Sequence, residues 1–188
     1  MRVMILIIAL SASLMGLSQD ATQKIGIRTV TSIGFAGGES TAKPLFHLSG
    51  GLTYKKHFAG LGVGIDQYLF NSYPVYADWR MNFGKMRLGF IYLNGGYNLP
   101  GKTRQDDDEF KTTNTFNGGF FMDAGVGYRV KLSAVHRLLF SAGYSQKNMS
   151  NRVGYLNWCW APPCLESLYT YQYKLGRVVA KMSWEFGR

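Results

Sequence analysis

The sequence predicts an all-β chain that folds into an eight-stranded antiparallel up-and-down transmembrane β-barrel. Composition is the first observation: 23 of the 188 residues are glycine, 15% are aromatic and only 5 are proline, which suits strands better than helices. The second is residues 73–83, where apolar and polar side chains alternate from Val75 onward and so fall on opposite faces of one strand. The third is the connections, which alternate between short and longer, as in barrels whose strands cross a membrane.

Residues 1–18 have the features of a secretory signal peptide, and the barrel domain is predicted to occupy residues 19–188. Arg2 gives a short basic start, residues 3–17 are mostly apolar, and Ser18 is a small residue at the expected cleavage point. This order is typical of an exported protein. A retained helical membrane anchor is the alternative.

Eight alternating segments follow. The fifth is the least regular: Phe90 and Tyr92 are assigned to its apolar face, which leaves Ile91 and Leu93 on the polar face. Between residues 59 and 65 every second residue is glycine, which leaves room for bulky side chains from other strands in a narrow interior. The predicted strands are residues 25–35, 45–54, 59–66, 75–83, 86–93, 120–130, 138–145 and 169–186.

The lengths of the connections predict how the barrel is oriented. If the first strand starts in the periplasm, every short link lies on the periplasmic side and every longer one lies outside. The protein is therefore predicted to be a multi-pass outer-membrane protein with both termini in the periplasm. The short links are residues 55–57, 84–85 and 131–135, and the longer ones are residues 36–44, 69–73, 98–116 and 147–168.

The polar face of the predicted barrel carries charges of both signs. A soluble lipocalin-like barrel, the structural alternative, would instead need an apolar interior for its ligand. Charges in a narrow lumen must pair, because isolated buried ions are costly. Side chains just fill the interior of an eight-stranded barrel, so a plug of ion pairs is predicted; a gated narrow conductance is the alternative. The predicted lumen charge network comprises Arg28, Asp66, Asp78, Arg80, Arg87, Asp123, Arg129, Lys181 and Glu185.

Two cysteines in one predicted external loop of an exported chain predict a disulfide between Cys159 and Cys164. It would hold the tip of the longest loop, where Trp158 and Trp160 flank the first cysteine. Exposed tryptophans favour a partner-binding surface or insertion into the outer leaflet. A loop folded onto its own aromatic side chains is the alternative.

An acidic run in the other long loop is a second interaction candidate. It could bind Ca²⁺ or bridge to lipopolysaccharide through divalent ions, but it lacks the fixed spacing of a Ca²⁺ loop. A solvated acidic loop is therefore the favoured interpretation, and no metal or cofactor is predicted. The run comprises Asp106, Asp107, Asp108 and Glu109.

Catalysis would need a nucleophile, a base and an orienting group within hydrogen-bond reach. His57 and His136 fall at predicted turns and are expected to be exposed, whereas His47 is expected to face the lumen near Ser49. No local motif identifies a complete set, so no catalytic residue is predicted and the chain is predicted not to be an enzyme. A barrel enzyme that modifies lipid A with a His and a Ser or an acid is the alternative.

Three stretches carry a resemblance to a known family: P-V-Y-A-D-W-R-M-N-F at residues 74–83, D-A-G-V-G-Y-R-V at 123–130 and M-S-W-E-F at 182–186. With the alternation over residues 24–188, the pattern resembles the small eight-stranded OmpA/OmpX-type outer-membrane barrels. More narrowly, it is similar to the porin-family outer-membrane β-barrel domains common in Bacteroidetes. The resemblance implies the barrel fold and a Gram-negative-type envelope, and none of its stretches is a catalytic motif.

The formal charge of +10 would suggest nucleic-acid binding in a cytosolic protein. In an exported barrel it indicates contact with outer-membrane lipid and anionic lipopolysaccharide, and no nucleic-acid role is predicted. The predicted function is that of a monomeric membrane-structural or interaction protein that contacts an envelope or extracellular protein through its loops. The alternatives are a lipid-A-modifying enzyme and a narrow channel or accessory component of transport or secretion.

Overall fold

The structure is a computed structural model of the protein. It describes residues 25–38, 41–67, 71–84, 88–101, 111–156 and 166–187. Within these ranges, nine strand segments form one closed antiparallel barrel of eight strands, which confirms the predicted fold class. No helix in the same ranges is long and apolar enough to cross a membrane. The segments are β1 (Gly26–Gly37), β2 (Ala42–Tyr54), β3 (His57–Gln67), β4 (Asn71–Phe83), β5 (Gly89–Pro100), β6 (Lys111–Asn117), β7 (Gly119–Lys131), β8 (His136–Leu156) and β9 (Glu166–Gly187).

The strands follow one another around the barrel in chain order. β1 to β5 pair successively, β5 pairs with β7, β7 with β8 and β8 with β9. β9 then pairs with β1 and closes the barrel. The backbone N–H of Gly187 donates to the carbonyl of Val135 at 3.0 Å, and Gly26 pairs with Thr53 next to the turn at 55–56. We call this end of the barrel the short-turn end and the opposite end the long-hairpin end.

β6 and β7 are two segments of one barrel strand, because both pair with β8. Asn117 pairs with Ser150 and Phe121 pairs with Lys147, so four steps along β6 and β7 face three along β8. The extra residue produces a bulge at Gly118. A side chain there would collide with a carbonyl oxygen of β5, so the close approach of the two backbones requires glycine.

Alternating side chains separate the two surfaces of the wall. β4 gives the pattern in its cleanest form: every second residue is buried in the lumen and those between are exposed or half-exposed. The same period of two recurs on the other strands, because successive side chains of a strand point to opposite faces. The inward residues of β4 are Ser72, Pro74, Tyr76, Asp78, Arg80 and Asn82.

The faces assigned to the fifth strand are wrong. Phe90 and Tyr92 are buried in the lumen, whereas Leu93 is 45% exposed on the outer face. Glycines of β7 and β8 explain this: a side chain at Gly127 would lie 2.3 Å from the Phe90 ring, and one at Gly143 would lie 2.5 Å from the Tyr92 hydroxyl. Bare positions on those strands make room inside for aromatic rings that the sequence pattern assigned to lipid.

Parts of both predicted long loops are strand. β8 continues to Leu156 and β9 begins at Glu166, so most of residues 147–168 is hairpin. β5 reaches Pro100 and β6 starts at Lys111, which shortens the predicted 98–116 loop. β8 has 21 residues and β9 has 22, against 11 to 13 for β1–β5 and β7. β6 and residues 148–156 and 166–174 therefore rise past the rim as a three-stranded sheet, here called the extension.

The outer face is apolar, and its aromatic side chains concentrate toward the ends of the strands. Tyr73 and Phe83 of β4 are ten residues apart; at about 3.3 Å per residue and a tilt of roughly 40°, they span about 25 Å, the height of the apolar band of an outer-membrane barrel. Aliphatic side chains such as Leu61, Val63 and Leu93 lie between. The exposed aromatics include Phe35, Phe46, Tyr54, Trp79, Tyr97, Phe120, Tyr128, Tyr144, Trp184 and Phe186.

Candidate functional site

The lumen holds three clusters of charged side chains, and the one nearest the long-hairpin end is centred on Asp66. His47 Nε2 lies 2.8 Å from Asp66 Oδ1, and Lys147 forms an ion pair with Asp66 Oδ2. Lys147 Nζ also donates to Ser72 Oγ at 3.1 Å and lies 5.2 Å from the centre of the Phe121 ring. This aspartate therefore joins side chains from β2, β3, β4 and β8 across the lumen.

The middle cluster has two aspartates, each with its own cation. Arg80 binds Asp78 through two hydrogen bonds, from Nε at 2.9 Å and from Nη2 at 2.7 Å. Lys181 Nζ lies 2.5 Å from Asp123 Oδ2, and the Tyr92 hydroxyl donates to the other oxygen at 3.0 Å. Two-point binding of a guanidinium by a carboxylate fixes orientation as well as distance, so this level of the lumen is held rigidly.

The third cluster lies at the short-turn end, where three arginines share one carboxylate. Glu185 Oε1 receives Arg28 Nη1 at 3.0 Å and Arg137 Nη1 at 2.9 Å, and Oε2 receives Arg129 Nη2 at 3.0 Å. These residues come from β1, β7, β8 and β9, the strands on either side of the barrel closure. The cluster therefore ties the first strand to the last.

These charges are almost completely screened from water. Asp123 and Lys147 are 0% exposed, Asp66 and Asp78 1%, and Glu185 2%. Burial of unpaired ions at such sites would be prohibitive, and direct pairing offsets that cost. The protein therefore encloses these five side chains.

The structure describes eight of the nine residues of the predicted lumen charge network, and all eight point into the barrel; Arg87 lies outside the described residues. It adds His47, Lys147 and Arg137, which the sequence reasoning left out of the network. Lys147 was assigned to a loop, but it continues the inward parity of Ser145, and Arg137 has the parity of Leu139. Extending the predicted strand 138–145 by one residue at its start and by two at its end would have found both.

The predicted loop sites lie outside the described residues. This applies to the disulfide and to both groups of interaction candidates, so nothing structural is added to those predictions. The residues concerned are Cys159, Cys164, Trp158, Trp160, Asp106, Asp107, Asp108 and Glu109. The predicted signal peptide at residues 1–18 also falls outside the described ranges.

The histidines do not assemble a nucleophilic site among the described residues. His47 bonds to Asp66, while the Ser49 hydroxyl donates to Asp78 at 2.7 Å. His57 and His136 are half-buried rather than fully exposed and contact tryptophans of the outer wall; the Nε1 of Trp184 donates to His136 Nδ1 at 3.2 Å. In the same ranges, no three His, Cys, Asp or Glu side chains are grouped to hold a metal ion.

The extension is a second candidate site, of a different kind. Leu168, Tyr169 and Tyr171 are 59%, 52% and 46% exposed, and the Tyr155 and Tyr169 rings meet edge to face at 5.9 Å. β9 pairs with β1 only from Val178 onward, so within the described ranges the outer edge of residues 166–177 has no strand beside it. Exposed aromatics beside a strand edge are features of protein-binding surfaces.

The outer wall also carries an apolar groove of about 1020 Å³ across β1, β9, β8 and β7. Large side chains such as Phe35, Tyr128 and Phe140 form its sides, and small ones such as Ala142 and Ala180 lie between them. The groove faces the surroundings of the barrel rather than the lumen. Lipid chains of a bilayer would fill it.

No protein-family profile and no curated protein matches this sequence. Among solved structures, the outer membrane protein OprG from Pseudomonas aeruginosa is similar with a TM-score of 0.50 and 7% identity, covering 87% of this chain and 95% of that one. The designed protein TMB2.3 aligns at 0.38 with 15% identity over 89% and 96%. The translocator domain of the autotransporter NalP from Neisseria meningitidis aligns at 0.26 with 12% identity over 98% and 95%. The likeness to OprG is one of fold alone: this chain has the fold of an outer-membrane β-barrel.

Proposed function

We propose that this protein is a monomeric outer-membrane barrel without catalytic activity, closed to ions, which holds the extension outside the cell for binding to a partner. The observation that carries the proposal is the contrast between paired charges in the lumen and a pair of strands, β8 and β9, that extend beyond the barrel by residues 148–156 and 166–174. β8 and β9 have 21 and 22 residues, whereas about 9–11 residues suffice for a tilted strand to cross a bilayer. The surplus has no role in crossing the membrane.

Closure of the lumen is supported at three successive levels. Glu185, Asp78 and Asp66 are each paired and at most 2% exposed. Reconstituted barrels should therefore give no steady single-channel currents in planar bilayers. Stable unitary currents from heat-modifiable, correctly folded protein would contradict this part of the proposal.

The hairpin lengths support one orientation of the barrel in the membrane. Outer-membrane barrels have short periplasmic turns and longer external loops, so the short-turn end would face the periplasm, together with both described chain ends. The extension and the residues between β8 and β9, which include Cys159 and Cys164, would then lie outside. Arg152 and Lys174 are exposed on the extension and would meet anionic lipopolysaccharide.

The decisive experiment compares two double variants of the extension in a binding assay on intact cells. Tyr169→Ser with Tyr171→Ser removes the exposed rings and should abolish capture of surface partners in a cross-linking pull-down. Thr170→Ala with Gln172→Ala alters the alternate, also exposed positions of the same strand and should leave capture unchanged. Equal capture of surface partners by the unmodified protein and both double variants would contradict the role proposed for the extension. It would not bear on the proposal that the lumen is closed.

The two alternative functions make different demands. A lipid-A-modifying enzyme would need His47 and a serine together at the lipid-facing rim, but His47 is buried in the lumen and bonds to Asp66. Mass spectrometry of lipid A from cells with and without the protein should show no difference. A channel or transport component would need an opening through the clusters. The recordings of single-channel currents in planar bilayers test for that opening.

A further inference from the structure

The outer face of β8 and β9 changes from apolar to polar where the barrel wall continues into the extension. Phe140, Tyr144 and Val178 are large outward side chains that are 46%, 49% and 66% exposed. Beyond them, and apart from Gly176, the outward positions carry amides, hydroxyls and cations. They are Gln146, Asn148, Ser150 and Arg152 on β8 and Lys174, Gln172 and Thr170 on β9. The acyl chains of a surrounding bilayer would therefore end at this change.

The orientation of the Tyr144 ring supports a membrane boundary at this level. Tyr144 pairs with Val178, and Gly176 lies two residues further toward the extension. A side chain at Gly176 would collide with the Tyr144 hydroxyl, so the ring lies over this glycine with its hydroxyl toward the extension. Interfacial tyrosines place the ring beside acyl chains and the hydroxyl among headgroups. The outward residues beyond Tyr144 would therefore lie at the level of lipid headgroups.

A polar cavity of about 360 Å³, here called the extension cavity, opens just above this boundary. Two cross-strand pairs surround it, Asn148 with Lys174 and Ser150 with Gln172, and all four side chains have outward parity. Gly118 of the bulge also lines the cavity and adds no side chain to it. The cavity is therefore enclosed by polar groups and opens toward the surroundings of the barrel.

The lining of the extension cavity suits an anionic ligand that is rich in hydroxyl groups. Lys174 is exposed, and its ammonium group is a partner for phosphate or carboxylate oxygens. The amides of Asn148 and Gln172 each offer donors and an acceptor, and the Ser150 hydroxyl offers both. Asn148 Oδ1 is buried without a hydrogen-bond partner among the described residues. One acceptor of the lining is therefore unused.

The strands beside the cavity carry positive charge only. Residues 146–156 and 167–177 contain four lysines and arginines but no aspartate or glutamate. A surface of one sign attracts ligands of the opposite sign. The volume of the cavity lies at the lower end of the range of roughly 300–1,000 Å³ for ligand pockets, which fits part of a headgroup rather than a folded partner.

We propose that the extension cavity binds the anionic saccharide headgroup of a lipopolysaccharide molecule in the surrounding outer leaflet. Lys174 pairs with a phosphate or carboxylate of the headgroup, and Asn148, Ser150 and Gln172 bind its sugar hydroxyls. Asn148 is four residues beyond Tyr144, or about 10 Å in height at about 3.3 Å per residue and a tilt of roughly 40°. Sugars reach this height, whereas the phosphate of a glycerophospholipid stays near Tyr144. The inference rests on the proposed orientation, with the extension outside the cell.

The first test uses the full chain folded in maltoside micelles, with deacylated lipopolysaccharide as the probe. Without acyl chains the probe is soluble, so partition into the micelle does not contribute to binding. Saturable shifts of the side-chain amide NMR signals of Asn148 and Gln172 are expected. Lys174→Gln should weaken binding about tenfold, because it removes a charge-assisted hydrogen bond. Absence of saturable binding to the unmodified protein would overturn the site.

Arg152→Gln is the matched control for the lysine variant. It removes the same charge from the same face, but Arg152 pairs with Thr170, four positions from Lys174 along β9. The affinity should change less than about twofold, because exposed charges beyond a Debye length are largely screened. Equal losses in the two variants would overturn the site, since they would show attraction by the overall charge of the extension alone. Retention of the heat-dependent gel shift verifies folding of each variant.

A second probe tests the assignment to a saccharide. Glycerophosphoglycerol, the soluble headgroup of phosphatidylglycerol, offers a phosphate without a sugar ring. It should bind at least about tenfold more weakly, because fewer of its groups reach the amides and the hydroxyl of the lining. Equal affinity for the two probes would overturn the assignment to lipopolysaccharide.

A separate measurement addresses the orientation on which the inference rests. Thr170→Lys adds an amine to an exposed position of the same face, outside the pairs that surround the cavity. A membrane-impermeant amine reagent should modify it on intact cells, as detected by mass spectrometry of the peptide. Modification only after permeabilisation of the outer membrane would contradict the proposed orientation and the lipopolysaccharide assignment together. Loss of binding in micelles, with labelling on intact cells, would overturn the cavity alone.

Discussion

Asp78 and Trp79 are neighbours in the chain, but they belong to surfaces with opposite requirements. Asp78 is 1% exposed and needs Arg80 and Ser49 at hydrogen-bonding distance. Trp79 is 37% exposed and needs only apolar surroundings and the stacked His57 ring, 6.0 Å away. The inner face thus depends on particular partners from distant parts of the chain, whereas the outer face depends on the character of each residue by itself.

The largest loss of stability is expected for a substitution on the inner face that removes the partner of a completely buried charge. Asp66→Ala would leave Lys147, which is 0% exposed, and His47 without their acid. Removal of one partner of a buried pair costs about 3–5 kcal/mol, and the free energy of unfolding in urea, measured in lipid vesicles, should fall by that amount.

A rescue experiment separates the lost pair from a general loss of packing. Lys147→Met added to Asp66→Ala removes the buried charge that Asp66 had balanced and should restore at least half of the lost stability, because apolar replacements of buried pairs are often close to neutral. A loss below about 1 kcal/mol for Asp66→Ala alone would show that water reaches this level of the lumen.

The second prediction concerns the outer face. There the cost of a substitution should depend on the depth of the residue in the bilayer and not on particular partners. Leu61 is 74% exposed near the middle of β3, and Phe83 is the last residue of β4. Leu61→Arg should destabilise the barrel in vesicles by about 2–4 kcal/mol, the cost of arginine at the bilayer midplane, and Phe83→Arg by about 0–1 kcal/mol. Equal costs for the two variants would place the membrane elsewhere on the wall.

The third prediction compares two glycines, one on each face. A side chain at Gly62 would lie 2.5 Å from the buried Tyr76 ring, whereas one at Gly95 would meet nothing within 4 Å. Gly62→Val should cost about 1–3 kcal/mol through overpacking, and Tyr76→Ala in the same chain should recover part of it. Gly95→Val, the control, should be close to neutral in the same unfolding experiment.

This difference between the faces explains which features of the barrel could be predicted from the sequence. Strand number and the faces of β4 follow from alternation, which is local. Alternation failed at Phe90 and Tyr92, because glycines on other strands accept rings inside the lumen. It also could not identify the partner of Asp66: Lys147 is 81 positions further along the chain, and only the closed barrel brings the two together.

The extension was missed for a related reason. Outside a bilayer neither face of a strand needs to be apolar. The sequence of residues 148–156 therefore predicts a polar loop, although these residues pair continuously with β9. Composition distinguishes lipid from water, but it does not distinguish a solvated hairpin from a loop. Backbone hydrogen bonds stabilise this hairpin, and they leave no mark on the residue types beyond a weak preference.

The smallest expected effect concerns the turn at 55–56, where a gain in backbone freedom is set against the loss of the contact between Lys55 Nζ and the Tyr54 ring, 5.3 Å from its centre. Lys55 has a φ of 54°, a left-handed conformation that costs an L-residue with a side chain roughly 1–2 kcal/mol. Glycine adopts it freely but loses more entropy on folding, so Lys55→Gly should raise the free energy of unfolding by about 0.5 kcal/mol. Lys56→Gly, at the other turn position, gains no such relief and should lower it slightly. Stabilisation by Lys56→Gly with none by Lys55→Gly would show that the strain lies at the other residue of the turn.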